Sequence, residues 1–311
     1  MDKTLIVITG PTGVGKTATA IALAQRLHCD IINADSRQIY RGIPICTAAP
    51  TPEEQEAARH HFVAFKDLEE SYSAAQFEAD VLALLPSLWQ QGDYAVMCGG
   101  SMLYVDAVCR GIDRLPDISP EVRSAVKDKL AREGLESLVK ELERLDPQYA
   151  ATIDCKNTSR VCHGVEICRQ AGVPYSTLRT GTAKQRDFNI IKLALNIERE
   201  QLFARINTRV DRMIEAGLEQ EARSVYHLRH LNSLNTVGMK EMFAFFDGKM
   251  DRHTAIERMK KNTRVYAKKQ LTWYRRDPAI IWCRPEEAEE VALTMAINKK
   301  SLASGEYFSG Q

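Results

Sequence analysis

Between Ile8 and Ala20 the chain reads ITGPTGVGKTATA. Gly10, Gly15, Lys16 and Thr17 complete the phosphate-cradling pattern G-x-x-x-x-G-K-[ST]. In such a loop the backbone N–H groups of residues 11 to 17 and the next helix N-terminus face a phosphate chain. The loop is Gly10, Pro11, Thr12, Gly13, Val14, Gly15, Lys16 and Thr17. Lys16 would neutralise terminal phosphate oxygens, and Thr17 would offer a hydroxyl to Mg²⁺. Two further turns carry candidate chemistry. NADSRQIYRG (33–42) places Asp35 where it could bind metal or take a proton from a nucleophile; Asp35 and Ser36 could equally cap a turn. CGGSMLY (98–104) places Ser101 after two glycines that permit close backbone approach, so that it could contact substrate or cap a helix.

These residues need a scaffold that brings three turns together. Leu5 to Thr9 is a continuous β-branched run that reads as a buried parallel strand. The loop follows it, and then the Ala-rich helical pattern TATAIALAQRL. CDIINADS (29–36) reads as a second strand, 73–91 as a helix capped by Ser73, and YAVMCGGS (94–101) as another strand. Alternating strands and helices predict an α/β fold, a P-loop doubly wound parallel sheet. In such sheets the carboxyl ends of the strands face the ligand crevice. After GIDRLPDISPEV the pattern turns charged and helical without a strand candidate. The expected division is a core of residues 1–113 and 187–311 around a helical insertion of 114–186. IIKLALNI (190–197) returns to the sheet, and AIIWC (279–283) offers a last strand.

Composition narrows the function classes. The 311 residues carry a formal net charge of +1, so any nucleic-acid surface must be local. RMKKNTRVYAKKQLTWYRR (258–276) is such a stretch, basic and aromatic with no acid inside it. Basic residues neutralise phosphates and aromatics stack on splayed bases. A solvated helix face is the plainer account of the same run. The eight cysteines are scattered without a C-x-x-C pair, which argues for reduced thiols in a cytoplasmic protein and against structural zinc. The adjacent histidines of ARHHF lack a third ligand at metal-binding spacing. No run approaches the length of a membrane span.

In this order, GPTGVGKT, DSRQIYRG with TAAPTPEE, HHF, YSAAQFEAD, GGSMLY, SRVCHGVE and AKKQLTWYRR resemble the tRNA dimethylallyltransferase family. The resemblance spans about residues 5 to 283. It implies transfer of a dimethylallyl group from dimethylallyl diphosphate to N6 of the adenosine 3′ of the anticodon. The loop, most often a site for ATP, would then hold a prenyl diphosphate with Mg²⁺. Thr12 matches a position that holds substrate near the reacting carbon, and Asp35 would accept the N6 proton. Ser36, Arg37 and Gln38 would bind the extruded nucleotide. Ser101, Arg123 and the segment Ser159, Arg160, Val161, Cys162 and His163 match tRNA-contacting positions. Lys268 and Lys269 would add phosphate contacts. The partners implied are a tRNA anticodon stem-loop and dimethylallyl diphosphate, with no membrane, and the chain would act as a monomer. The chain departs from the family at Cys46–Pro50, where Ala49 replaces a lysine, at His163, where arginine is common, and at Ser101, where threonine is frequent. A small-molecule kinase, an adenylate isopentenyltransferase and a non-enzymatic RNA-binding module are the competing readings.

Overall fold

Strand β1 (Thr4–Thr9) is buried along its whole length, as a parallel strand covered on both faces must be. In the computed structural model, which describes residues 3–304, it is an inner strand of a six-stranded sheet. The others are β2 (Ile31–Asn33), β3 (His60–His61), β4 (Tyr94–Cys98), β5 (Asn189–Leu195) and β6 (Ile280–Cys283). All described pairings are parallel, in the order β3-β2-β4-β1-β5-β6. From β1 the chain steps out to β2 and β3, returns to β4, and then crosses to β5 and β6. That reversal opens a crevice at the carboxyl ends of β1 and β4.

The longer helices are α1 (Lys16–Leu27), α2 (Ala74–Leu88), α3 (Met102–Arg110), α4 (Pro120–Leu145), α5 (Thr158–Ala171), α6 (Arg199–Glu215), α7 (Met239–Phe246), α8 (Arg252–Tyr274) and α9 (Ala288–Ser304). Alternate residues of β1 feed two apolar layers. Ile6 and Ile8 pack with Leu23 of α1, Leu202 and Ile206 of α6, and Ala267 of α8. Leu5 and Val7 pack with Phe77 and Val81 of α2, and Val105 and Val108 of α3. Each such fully buried side chain contributes roughly 1.5–3 kcal/mol. A third cluster joins Val210 of α6, Met242 of α7 and Met259 of α8 to Ile39, Tyr40 and Ile43. It fixes α8 beside the crevice.

Some boundaries differ from expectation. The expected strand over 29–36 shortens to Ile31–Asn33, because the Asp35 carboxylate accepts the Arg37 N–H (2.9 Å) and bends the chain into a turn. The helix expected over 73–91 ends at Leu88; its start is fixed by a capping box between Ser73 and Gln76. Strand β3 has no apolar run to announce it, and its His61 bonds Asp30 at 2.8 Å.

The chain divides into two compact units, Met1–Arg110 with Gln185–Gln311, and Gly111–Lys184. The second is helical. Its α4 and α5 pack through Val126, Leu138, Leu142, Val161 and Val165. Glu141 accepts two bonds from Arg169 (2.7 and 2.8 Å) and one from Lys129 (2.7 Å). Those bonds, Arg169 first, hold its carboxyl down at about 2.

Candidate active site

The glycine loop leaves β1 with Gly10 at φ 134°, where a Cβ would stand 2.6 Å from the Leu195 carbonyl oxygen. Only glycine fits there without displacing β5. The Lys16 ammonium folds back to donate to the Pro11 carbonyl (2.9 Å), and burial lowers its pKa to about 8. The loop's donors are fewer than expected. Pro11 has no N–H, and the Thr12 N–H donates to the Gln270 side chain (2.8 Å). The Val14 N–H donates to the Pro11 carbonyl at 3.4 Å, so the phosphate-facing donors are Gly13 and Gly15 onward.

The turns after β2 and β4 lock together beside this loop. The Ser36 N–H donates to Ser101 Oγ (2.8 Å), whose hydroxyl donates to Ser36 Oγ (3.0 Å). The Asp35 Oδ1 also accepts the Gln38 N–H at 3.4 Å. Asp35 thus caps its turn as well as facing the crevice. Two expected nucleotide contacts are instead tied to the protein. The Arg37 guanidinium donates to the carbonyls of Asn232 and Ser233 (2.8 and 3.1 Å), and the Gln38 amide to those of Thr47 and Ala48 (3.1 and 2.9 Å).

Two cavities meet here. One, of about 270 Å³, is walled by the loop, Lys16, Thr17, Asn33, Glu54 and Gly100. The other, of about 430 Å³, has apolar walls of Ile206, Val210, Met213 and Val237, with Ser36, Ser101 and Lys269. Thr12, Asp35, Thr47, Arg209 and Tyr266 line both. Arg209 projects from α6 without a hydrogen bond among the described residues. Burial lowers its pKa, while Asp35 and then Glu54 pull it up. Desolvation, then the Asp35 charge, raises the Tyr266 phenol to about 12, so Tyr266 stands in the crevice as a neutral hydroxyl. Burial likewise pushes the nearby thiols of Cys46 and Cys98 to about 12 and keeps them unreactive.

Helix α8 is less uniform than its sequence. Lys269 lines the apolar cavity, but Lys268 stands over the Phe203 ring at 5.6 Å in a separate hollow with Arg199 and Arg275. One helical step of about 100° sets the two lysines on different faces. Lys260 pairs with Asp211 (2.8 Å) and Glu257 (3.0 Å). Tyr274 is buried and Trp273 donates to Asp106 (2.8 Å), so Tyr266 is the aromatic of this run that reaches the crevice. In the helical unit Ser159 and Arg160 are exposed, while the Val161 side chain lies wholly in the core. Cys162 is half-buried, and His163 meets the Tyr175 ring edge-on at 5.8 Å. Burial, and then the Arg123 charge, lowers the His163 pKa, while burial raises that of Glu166 against the pull of Arg123.

Arg209 and Gln270 are the residues that sequence reading missed. Neither sits in a recognisable spacing; Gln270 was hidden inside a run read as an RNA surface. Among the described residues no group of three His, Cys, Asp or Glu could hold a metal.

A sequence model of the IPP transferase family matches residues 38–277. The chain belongs to the IPP transferase family. A relative from Porphyromonas gingivalis named tRNA dimethylallyltransferase 2 is 51% identical over 94% of this chain and 98% of its own length. Another, tRNA dimethylallyltransferase 1 of Phocaeicola vulgatus, is 49% identical over 94% of this chain and 97% of its own length. The full-length tRNA isopentenylpyrophosphate transferase of Bacillus halodurans superposes with a TM-score of 0.71 at 34% identity, covering 98% of this chain and 100% of that one. A eukaryotic dimethylallyltransferase acting on tRNA gives 0.78 at 26% identity, covering 99% and 81%. The family model's match begins after the glycine loop and Asp35, whereas the likeness to the Bacillus halodurans structure, over 98% of this chain, takes them in.

Proposed function

We propose that this IPP transferase is a tRNA dimethylallyltransferase that carries the prenyl group from dimethylallyl diphosphate to N6 of the adenosine 3′ of the anticodon. The observation that carries this reading is the shared wall. A polar, glycine-walled cavity suits a diphosphate, a larger half-apolar cavity suits a prenyl tail and an extruded base, and Thr12, Asp35, Arg209 and Tyr266 stand where they meet. The exocyclic nitrogen attacks the allylic carbon, the carbon–oxygen bond to diphosphate breaks, and Asp35 takes the N6 proton. Lys16 and the N–H groups of Gly13 and of Gly15 onward hold the departing diphosphate, and Arg209 meets the negative charge that develops on it. An adenine amine is a weak nucleophile, so alignment between the two cavities supplies much of the rate.

The donor set suits Mg²⁺ rather than a caged metal. Thr17 would hold such an ion through its hydroxyl, the kind of hard oxygen ligand that Mg²⁺ prefers. When bound, the ion adds Lewis-acid stabilisation of the leaving diphosphate. RNA is held by Lys269 and Tyr266 at the crevice; Arg123, Ser159, Arg160 and His163 are the RNA-contact candidates of the helical unit taken by itself. The reading puts a monomer in the cytoplasm with its tRNA; no described helix is long and apolar enough to cross a membrane.

The test offers labelled dimethylallyl diphosphate to the protein with an anticodon stem-loop, with AMP, or with no acceptor. Label is expected in the stem-loop adenosine. Label entering AMP in preference to the stem-loop would assign the chain to adenylate prenylation instead.

A further inference from the structure

Gln270 is 1% exposed, on the same helix that presents Tyr266 and Lys269 to the crevice. Its side-chain oxygen accepts the Thr12 backbone N–H (2.8 Å), and its side-chain nitrogen donates to the Gly100 carbonyl (2.8 Å). One amide therefore bridges the turns that follow β1 and β4, two neighbouring strands. The space is made for it. A Cβ on Gly100 would lie 2.4 Å from the Gln270 nitrogen and 3.6 Å from the Lys16 ammonium. Both polar groups of the amide are satisfied, so it is fixed in one orientation.

From this geometry we infer that Gln270 is a positioning residue for the transfer step: it clamps Thr12 at the wall between the two cavities and ties the RNA-facing helix to the phosphate loop. The inference rests on the reading of the site given above. Gln270 takes the Thr12 N–H away from phosphate binding and leaves the Thr12 side chain at the junction. Gln270 touches the loop rather than the reacting atoms, so its loss should disturb alignment more than binding. A displacement near 1 Å at a reacting centre costs about 10²-fold in rate.

The experiment compares wild type with Gln270→Met, which keeps the volume and removes both hydrogen bonds. It measures kcat with saturating substrates, stem-loop affinity, inorganic pyrophosphate affinity and melting temperature. The clamp predicts a fall in kcat of about 10–100-fold, with both affinities changed less than about threefold on the same scale. Gln270→Glu keeps an acceptor for the Thr12 N–H and should recover several-fold in kcat over the methionine variant. Should methionine prevent folding, Gln270→Asn, polar but too short to bridge, carries the same test. A kcat within about threefold of wild type would overturn the clamp. So would a loss spread equally over both affinities and kcat, which marks a packing residue, or a glutamate variant no better than methionine. Wild-type protein that transfers nothing to the stem-loop would sink the proposed function itself; an active wild type beside an unaffected variant would sink the clamp alone.

Discussion

The two cavities that share Thr12, Asp35 and Arg209 are built by different physics. The smaller is a backbone construction. Its phosphate-cradling part is made of glycines, a helix N-terminus and one lysine whose spacing is local, within residues 10–17. More distant residues such as Asn33, Glu54 and Gly100 complete the wall. The larger is a packing construction. Ile206, Val210 and Met213 of α6, Val237 of the turn before α7 and Met259 of α8 are brought together by tertiary packing. A phosphate chain can therefore be recognised by eight consecutive residues, whereas a prenyl tail beside a base needs the tertiary fold.

If the shared wall is where chemistry occurs, changes there should strike turnover and spare binding. Asp35→Asn keeps an acceptor for the Arg37 N–H, so the turn survives while the base is lost. We expect kcat to fall about 10²–10⁴-fold, with stem-loop and pyrophosphate affinities near wild type. Turnover within a few-fold of wild type would remove Asp35 as the base and leave it a turn cap.

Changes confined to the smaller cavity should strike diphosphate binding. Lys16→Ala removes a charged donor, worth about 1.5–3 kcal/mol or roughly tenfold to more than 100-fold in affinity, and should leave stem-loop binding unchanged. The same lysine gives the site a pH signature. Burial lowers its free-state pKa to about 8, and a bound anion favours the charged form and raises it. Binding therefore takes up a proton above about pH 8; affinity should be level below that pH and fall above it. Lys16→Arg keeps its charge through this window, and the ratio of the two proteins' pyrophosphate affinities isolates the effect. A ratio flat from pH 7 to 10 would contradict it.

The smallest effects separate the faces of α8. Lys269→Gln should lower the slope of log affinity against log salt by about 0.7–0.9, the share of one phosphate contact. Lys268→Gln, over Phe203 and outside both cavities, should change the slope by less than half of that. Equal slopes in the two variants would return the run to one undivided surface.

The difference between the cavities also explains what could be read in advance. β1, β2 and β4 are largely apolar runs because parallel strands are covered on both faces, and β5 and the edge strand β6 are apolar over most of their length. Two-residue β3 is a pair of histidines at the sheet edge and carries no such mark. The loop and Asp35 were legible because a turn's chemistry is written in neighbouring residues. Arg209 and Gln270 were not: the Thr12–Gln270 bond joins positions 258 residues apart, and only packing brings them together. Lys268 and Lys269 show the converse. Adjacent in sequence, they were read as one surface, although adjacent positions on a helix point in different directions.

The central claim is that the glycine loop holds a prenyl diphosphate as donor and spends no nucleoside triphosphate. A single-turnover reaction with dimethylallyl diphosphate, stem-loop RNA and Mg²⁺, with and without ATP, tests it most directly. We expect one pyrophosphate released for each prenylated adenosine, at the same rate in both arms. Transfer that occurs only with ATP, accompanied by its hydrolysis, would contradict the account and restore a kinase-like use of the loop.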